Sequence, residues 1–190
     1  MAILVVGSVA LDSVKTTEGS CREALGGSAV YFSLAAAMFG EVSLVGVAGS
    51  DFPGEHVAML KKRGVDLSGL ETAKGETFRW EGQYGKDASI AQTLATKLNV
   101  FKDFKPKLDE AHRRAPFLFL GNIDPELQLD VLSQMRGPKL TACDTMNFWI
   151  GSKPATVKKL LSKVDIFFCN DAEAMSLTGS PNALQAAEVL

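Results

Sequence analysis

Asp12, the pair Gly26-Gly27 and the box Asn170-x-x-Glu173 are residues whose types and spacing could do chemistry. Asp12 comes just after residues 2–10 (AILVVGSVA), an apolar run that reads as one strand buried on both faces. A carboxylate just past the C-terminal end of such a strand lies where open α/β sheets bind ligands. It accepts two hydrogen bonds, which suits a pair of sugar hydroxyls; the alternative is a turn-forming aspartate. Gly26 and Gly27 precede an apolar helix, so backbone can approach a ligand closely and aim free N–H groups at it. Close packing is the other use of such a pair. Asn170 and Glu173 follow an apolar run and have the spacing of a helix-capping box. They are also oxygen donors suited to the waters around Mg²⁺.

Other chemistries are poorly supported. Gly7-Ser8-Val9-Ala10-Leu11-Asp12 puts Val9 and Asp12 where a dinucleotide fingerprint needs glycines, and a carboxylate there would repel phosphate. The nearest approach to a phosphate loop, Gly82-Gln83-Tyr84-Gly85-Lys86-Asp87, has the wrong spacing and no hydroxyl after the lysine. His56 and His112 have no obvious partner, which leaves hydrolase triads and histidine-ligated metals unsupported. Cys21, Cys143 and Cys169 are odd in number and widely spaced, as expected of three buried thiols in a reducing cytoplasm.

The elements that must hold these groups alternate. Residues 42–48, 116–120 and 164–169 read as further buried strands, and 139–143 as a fainter one. Residues 28–39, 54–63, 125–135, 153–162 and 171–177 read as helices, and another opens at Pro181. Strand and helix in alternation predict a doubly wound α/β sheet. Residues 76–84 (ETFRWEGQY) break that pattern. Phe78, Trp80, Gly82 and Tyr84 share one face, the period of a half-exposed strand. Residues 12–17 alternate more weakly, and the two segments are expected to form a small β flap. Residues 85–112 carry no clear pattern.

The chain has 190 residues, 46% hydrophobic and 22% charged, with a formal net charge of −2. These are globular values. They argue against an electrostatic clamp on nucleic acid or anionic lipid, and no apolar run is long enough to span a membrane. The N-terminus lacks the basic start of a signal peptide.

Taken in order, the motifs resemble the ribokinase-like (PfkB-type) carbohydrate kinases. The pieces are Gly7-Ser8-x-x-x-Asp12, Gly26-Gly27-Ser28-Ala29, the turn from Val45 to Gly54, Gly64-Val65-Asp66, Asp144-x-x-Asn147-x-Trp149 and Asn170-x-x-Glu173. The resemblance implies a three-layer α/β/α doubly wound, mostly parallel sheet with a small β lid. Residues 1–11, 25–66 and 113–190 would build the body, and 12–24 with 67–112 the lid and its connections. It implies transfer of the ATP γ-phosphoryl to a hydroxymethyl group of a sugar or nucleoside, with Mg²⁺. Asp12, Gly26, Gly27, Asn122 and Asn147 would hold substrate; Phe78, Arg79 and Trp80 would belong to the lid. Asn170 and Glu173 would organise Mg²⁺ and phosphate through water. A homodimer through the lid is expected, in the cytoplasm, with neither nucleic acid nor membrane as partner.

Two departures stand out. Tyr31 occupies the place where the family usually has Asn, which removes a compact amide from the sugar pocket. The family's Gly-Ala-Gly-Asp anion hole and catalytic base are absent, so the base and the ATP site are expected beyond Leu190. A chain cut there is expected to be inactive alone, to expose residues 164–169 as a raw sheet edge and to associate. The competing expectation is a stand-alone sugar- or nucleoside-binding module.

Overall fold

The computed structural model describes residues 2–85 and 91–190. Lys86 and Asp87 of the rejected phosphate-loop string therefore lie outside the described residues. The strands are β1 (Ala2–Val6), β2 (Ala10–Lys15), β3 (Ser20–Gly26), β4 (Glu41–Gly49), β5 (Val65–Ala73), β6 (Phe78–Tyr84), β7 (Ala91–Lys97), β8 (Phe117–Leu120), β9 (Leu140–Asp144) and β10 (Ile166–Phe168). The helices are α1 (Ser28–Ala36), α2 (Gly54–Lys62), α3 (Glu110–Arg113), α4 (Pro125–Gln134), α5 (Asn147–Ser152), α6 (Pro154–Leu161), α7 (Asp171–Thr178) and α8 (Ala183–Val189).

Six strands form one sheet in the order β10-β9-β8-β1-β4-β5, and every pairing in it is parallel. The pleat of β1 sends Leu4 and Val6 to one face and Val5 to the other, which sorts the core into two clusters. Val5 meets Ala29 and Val30 of α1 and Leu60 of α2. Leu4 and Val6 meet Val131 of α4, Leu160 of α6 and Phe101. Helices thus cover both faces, as the doubly wound reading requires. The chain moves outward from β1 to β4 and β5, then returns to β8 on the other side of β1. The point where strand order reverses lies between β1 and β8, the place where such sheets bind ligands.

A second sheet has the order β3-β2-β6-β7. It is the expected β lid, but its boundaries differ. The run 2–10 is two strands, because the chain turns at Gly7–Val9 between β1 and β2. Asp12 therefore sits within β2 of the lid sheet, in the segment 12–24 expected to belong to the lid, rather than directly at the end of the first strand. β5 stays in the main sheet as far as Ala73, past the expected boundary at residue 66. Phe101, Phe104 and Leu108 pack into the body core, so the segment expected to connect the lid belongs by packing to the body.

Other expectations change as well. Cys143 is buried, but Cys21 and Cys169 are exposed. β10 is an edge strand, as expected, and its Ile166 and Phe168 are exposed although the apolar run reads as a strand buried on both faces. Among the described residues no helix is long and apolar enough to cross a membrane.

Candidate active site

The turn that leaves β1 is built to bring backbone together. The Gly121 N–H donates to Val6 O at 2.7 Å, and a Cβ on Gly7 would touch Gly121 Cα and Ser28 Oγ. Ser8 receives the start of α1: Ser28 N–H donates to Ser8 Oγ at 3.0 Å, and Ala29 N–H to Ser8 O at 3.2 Å. Gly27 caps that helix at φ +99, with its Cα against the Ser8 carbonyl, a place that excludes a side chain.

Asp12 faces this turn. Its carboxylate rests on Gly26, where any Cβ would overlap Oδ2, and it accepts a hydrogen bond from the Gly27 backbone. Burial pushes its pKa up to about 6, opposed by the Gly27 hydrogen bond. Both roles considered for the glycines therefore apply: they pack closely, and what they pack against is the carboxylate. Tyr31, on α1, is exposed, and its hydroxyl donates to Leu25 O at 3.2 Å.

Asn122 follows Gly121 at the end of β8. Its Oδ1 accepts from Trp149 Nε1 at 3.0 Å, and its amide nitrogen lies 3.1 Å from Met146 Sδ. Asn147 opens α5 and is exposed. The carboxamides thus belong to the ends of neighbouring strands β8 and β9, and α5 ties one to the other. Gln128, which sequence reasoning missed, braces both ends. Its buried Nε2 donates to Leu120 O, Gly121 O and Asp144 O. Its burial is a property of packing, so the sequence carried no signal for it.

Asn170 and Glu173 form the capping box: Asn170 Oδ1 accepts from Glu173 N–H at 2.9 Å, and Glu173 Oε2 from Asn170 N–H at 3.0 Å. Asp144, at the end of β9, is the second missed residue. Burial, helped by the negative charge of Glu173, raises its pKa to about 7. Its Oδ1 is buried without a hydrogen-bond partner. Asp144 ends β9 and Glu173 lies in the first turn of α7, just after the neighbouring strand β10. Burial likewise raises the pKa of Glu173, against the hydrogen bond from Asn170. Among the described residues no three His, Cys, Asp or Glu side chains gather closely enough to hold a metal. The pair suits a hydrated cation instead: an orphaned buried carboxylate oxygen beside a second carboxylate.

The lid is fastened by a polar hinge. Asp51 Oδ1 accepts from Thr77 N–H and Thr77 Oγ1, each at 2.7 Å, and Asp51 Oδ2 from Arg79 Nη2 at 2.7 Å. Burial pushes the Asp51 pKa up, but the Thr77 and Arg79 hydrogen bonds outweigh it and hold it low. Arg79 also donates to Glu23 of β3 at 2.9 Å. The apolar lid face expected from sequence is partly spent: Phe78 stacks on Phe101 at 5.2 Å, and the Trp80 ring covers Gly82. Cavities of about 490 Å³ at Lys61–Ser68 and about 440 Å³ between β10 and α8 do not include Asp12.

A family model described as pfkB family carbohydrate kinase matches residues 2–190. The chain belongs to the pfkB family of carbohydrate kinases. This pfkB chain is 27% identical over 191 residues to a cytidine kinase from Thermococcus kodakarensis, covering 99% of the chain and 68% of that protein. Its fold is similar to the Methanocaldococcus jannaschii nucleoside kinase, an archaeal member of the ribokinase family, with TM-score 0.73 and 18% identity. That match covers 94% of this chain and 63% of the nucleoside kinase. A Cryptococcus neoformans ribokinase in complex with ADP matches with TM-score 0.75 and 21% identity, over 94% of this chain and 60% of the ribokinase. The chain thus spans less than two thirds of either structure.

Proposed function

We propose that the chain carries the acceptor-binding and cation-organising part of an ATP-dependent phosphotransferase. The reaction moves the γ-phosphoryl of ATP to a hydroxymethyl group of a sugar or nucleoside. The single observation that carries this reading is the Asp12 carboxylate, held half-buried over Gly26 at the mouth between lid and body. In this reading Asp12 accepts two substrate hydroxyls, and Gly26-Gly27 lets the sugar ring approach backbone. Asn122 and Asn147 supply amide contacts from the ends of β8 and β9. A site built for hydroxyls rejects ligands that lack them, because its polar groups are then left unpaired.

Asp144 and Glu173, with Asn170 capping the helix beneath them, would hold Mg²⁺ through water; the orphaned Asp144 Oδ1 is the observation that fits them to a cation. Bound there with nucleotide, Mg²⁺ supplies neutralisation of charge on the transferred phosphoryl group. The lid keeps bulk water from the acceptor, with the Asp51–Thr77–Arg79 hinge setting its position. Pairing of two lids in a homodimer belongs to the same reading, supported by the exposed Leu94 of β7 and the nearby Leu98.

No Gly-Ala-Gly-Asp string occurs in the sequence, so no residue here is assigned as the base that takes the acceptor proton. The second reading is a sugar- or nucleoside-binding module without catalysis. The test is ADP release from ATP and Mg²⁺ in the presence of ribose or cytidine, with Asp12→Ala as control. The proposal expects no turnover by this chain alone, and turnover once the family's Gly-Ala-Gly-Asp segment is supplied. Saturable binding with no turnover in either case supports the binding module. Turnover by the 190-residue chain, lost in Asp12→Ala, overturns the view that its phosphotransfer machinery is incomplete.

A further inference from the structure

The face of the lid sheet that carries Asp12 also carries aromatic rings. Asp12 stands opposite Trp80 in the β2–β6 register, and Tyr84 lies four residues further along the same face of β6. Trp80 is fixed: its ring covers Gly82, and Nε1 donates to Thr93 Oγ1 at 3.2 Å. Tyr31 joins this face from α1. Its hydroxyl is tied to the carbonyl of Leu25, the residue before the Gly26 on which Asp12 rests. Burial, then the negative charges of Asp12, Tyr84 and Cys21, raise the Tyr31 pKa, in keeping with four groups around one patch.

Tyr31 is nonetheless 59% exposed. A ring anchored by its hydroxyl yet left open to water is not a packing residue. It is a preset platform: its orientation is already paid in the free protein, so a flat ligand laid on it gains stacking at little entropic cost. A bare sugar offers hydroxyls to Asp12 but no planar ring. A nucleoside offers both, with its base joined to the sugar that Asp12 would hold.

We propose that Tyr31 is the specificity-determining contact of this site, stacking the planar base of a nucleoside whose ribose hydroxyls bond Asp12. The inference rests on reading Asp12 as the acceptor-binding carboxylate. It also accounts for an aromatic residue where the family usually has a compact amide: the amide suits a sugar, the ring a base.

The test is calorimetric titration of the chain with cytidine and adenosine, as pyrimidine and purine probes, and with ribose. Wild type, Tyr31→Ala, Tyr31→Phe and Asp12→Asn are compared, each shown folded by a cooperative melt. At least one nucleoside is expected to bind tenfold or more tightly than ribose. Tyr31→Ala is expected to lose about tenfold for that nucleoside, the scale of one base–aromatic stack, with ribose unchanged within twofold. Tyr31→Phe, which keeps the stacking ring but loses its anchor on Leu25 O, is expected to lose less affinity than Tyr31→Ala. Ribose binding as tightly as both nucleosides, equal losses for both ligand types in Tyr31→Ala, or no nucleoside binding overturns the inference. If Asp12→Asn weakens every ligand while Tyr31→Ala spares them all, the acceptor site stands and the role of Tyr31 falls. If Asp12→Asn changes none, both fall.

Discussion

The carboxylate of Asp12 lies directly on the Cα of Gly26, in the space that any other residue at position 26 would fill with its Cβ. This contact joins β2 of the lid to the end of β3, one residue before α1 is capped by Gly27. The absence of a side chain at position 26 therefore sets where a charge stands at the mouth of the site. It also keeps that charge half-buried, which costs stability and leaves the carboxylate with hydrogen-bonding capacity to spare.

Gly26→Ala is expected to displace Asp12 and destabilise the fold by about 1–3 kcal/mol, the usual range for overpacking. In an Asp12→Ala background the same substitution has its clash removed and is expected to cost much less. A double-mutant cycle from urea melts measures this coupling; additive effects would show that the two residues do not share the space.

The raised pKa of Asp12 gives a pH signature. Its pKa rises from an ordinary value of 3.8 to about 6 in the folded chain, so folding favours its protonated form. The stability this contributes is fully present below the unfolded pKa and is lost as pH rises through about 6. Asp12→Asn mimics the protonated form at every pH. Its melting temperature is expected to match wild type near pH 4, to exceed it increasingly up to about pH 6, and to hold a constant excess above pH 7. A constant offset at all pH values would assign Asp12 no shifted titration.

Most of the body was legible because parallel strands buried on both faces leave continuous apolar runs. The runs at 42–48 and 116–120 became β4 and β8 almost as read. The lid was less legible. β3 (SCREALG) and β7 (AQTLATK) lie at the two edges of a thin sheet and are largely exposed on both sides, so neither shows period-two alternation. The split at residues 7–9 was hidden because Val9, Ala10 and Leu11 are as buried as the strand before them. In the candidate site, Asp12 and the glycines were singled out from residue type and their place after a strand and before a helix. Asp144 was quoted as part of a motif without a role, since its isolation inside the protein is a property of packing. Gln128 escaped for the same reason: its three carbonyl partners come from two strand ends.

The Asp144–Glu173 pair predicts a response to divalent cation. At pH 8, Mg²⁺ at ten times its dissociation constant is expected to raise the melting temperature by about 3–5 °C. Asp144→Asn is expected to abolish the shift. Glu173→Gln is expected to reduce it while keeping the helix cap, because glutamine also completes a capping box. An undiminished Mg²⁺ shift in Asp144→Asn would place the cation elsewhere.

The central claim is that Asp12 holds the hydroxyls of the acceptor. Its most direct measurement is calorimetric titration of wild type and Asp12→Asn with cytidine at pH 7.5, beside the melting temperature of each. Loss of a buried hydrogen-bond partner costs about 1–3 kcal/mol, so the account predicts affinity at least about fivefold weaker in Asp12→Asn. It also predicts a melting temperature equal to or above that of wild type. Unchanged cytidine affinity in a folded Asp12→Asn protein would contradict it and leave Asp12 a structural residue of the lid.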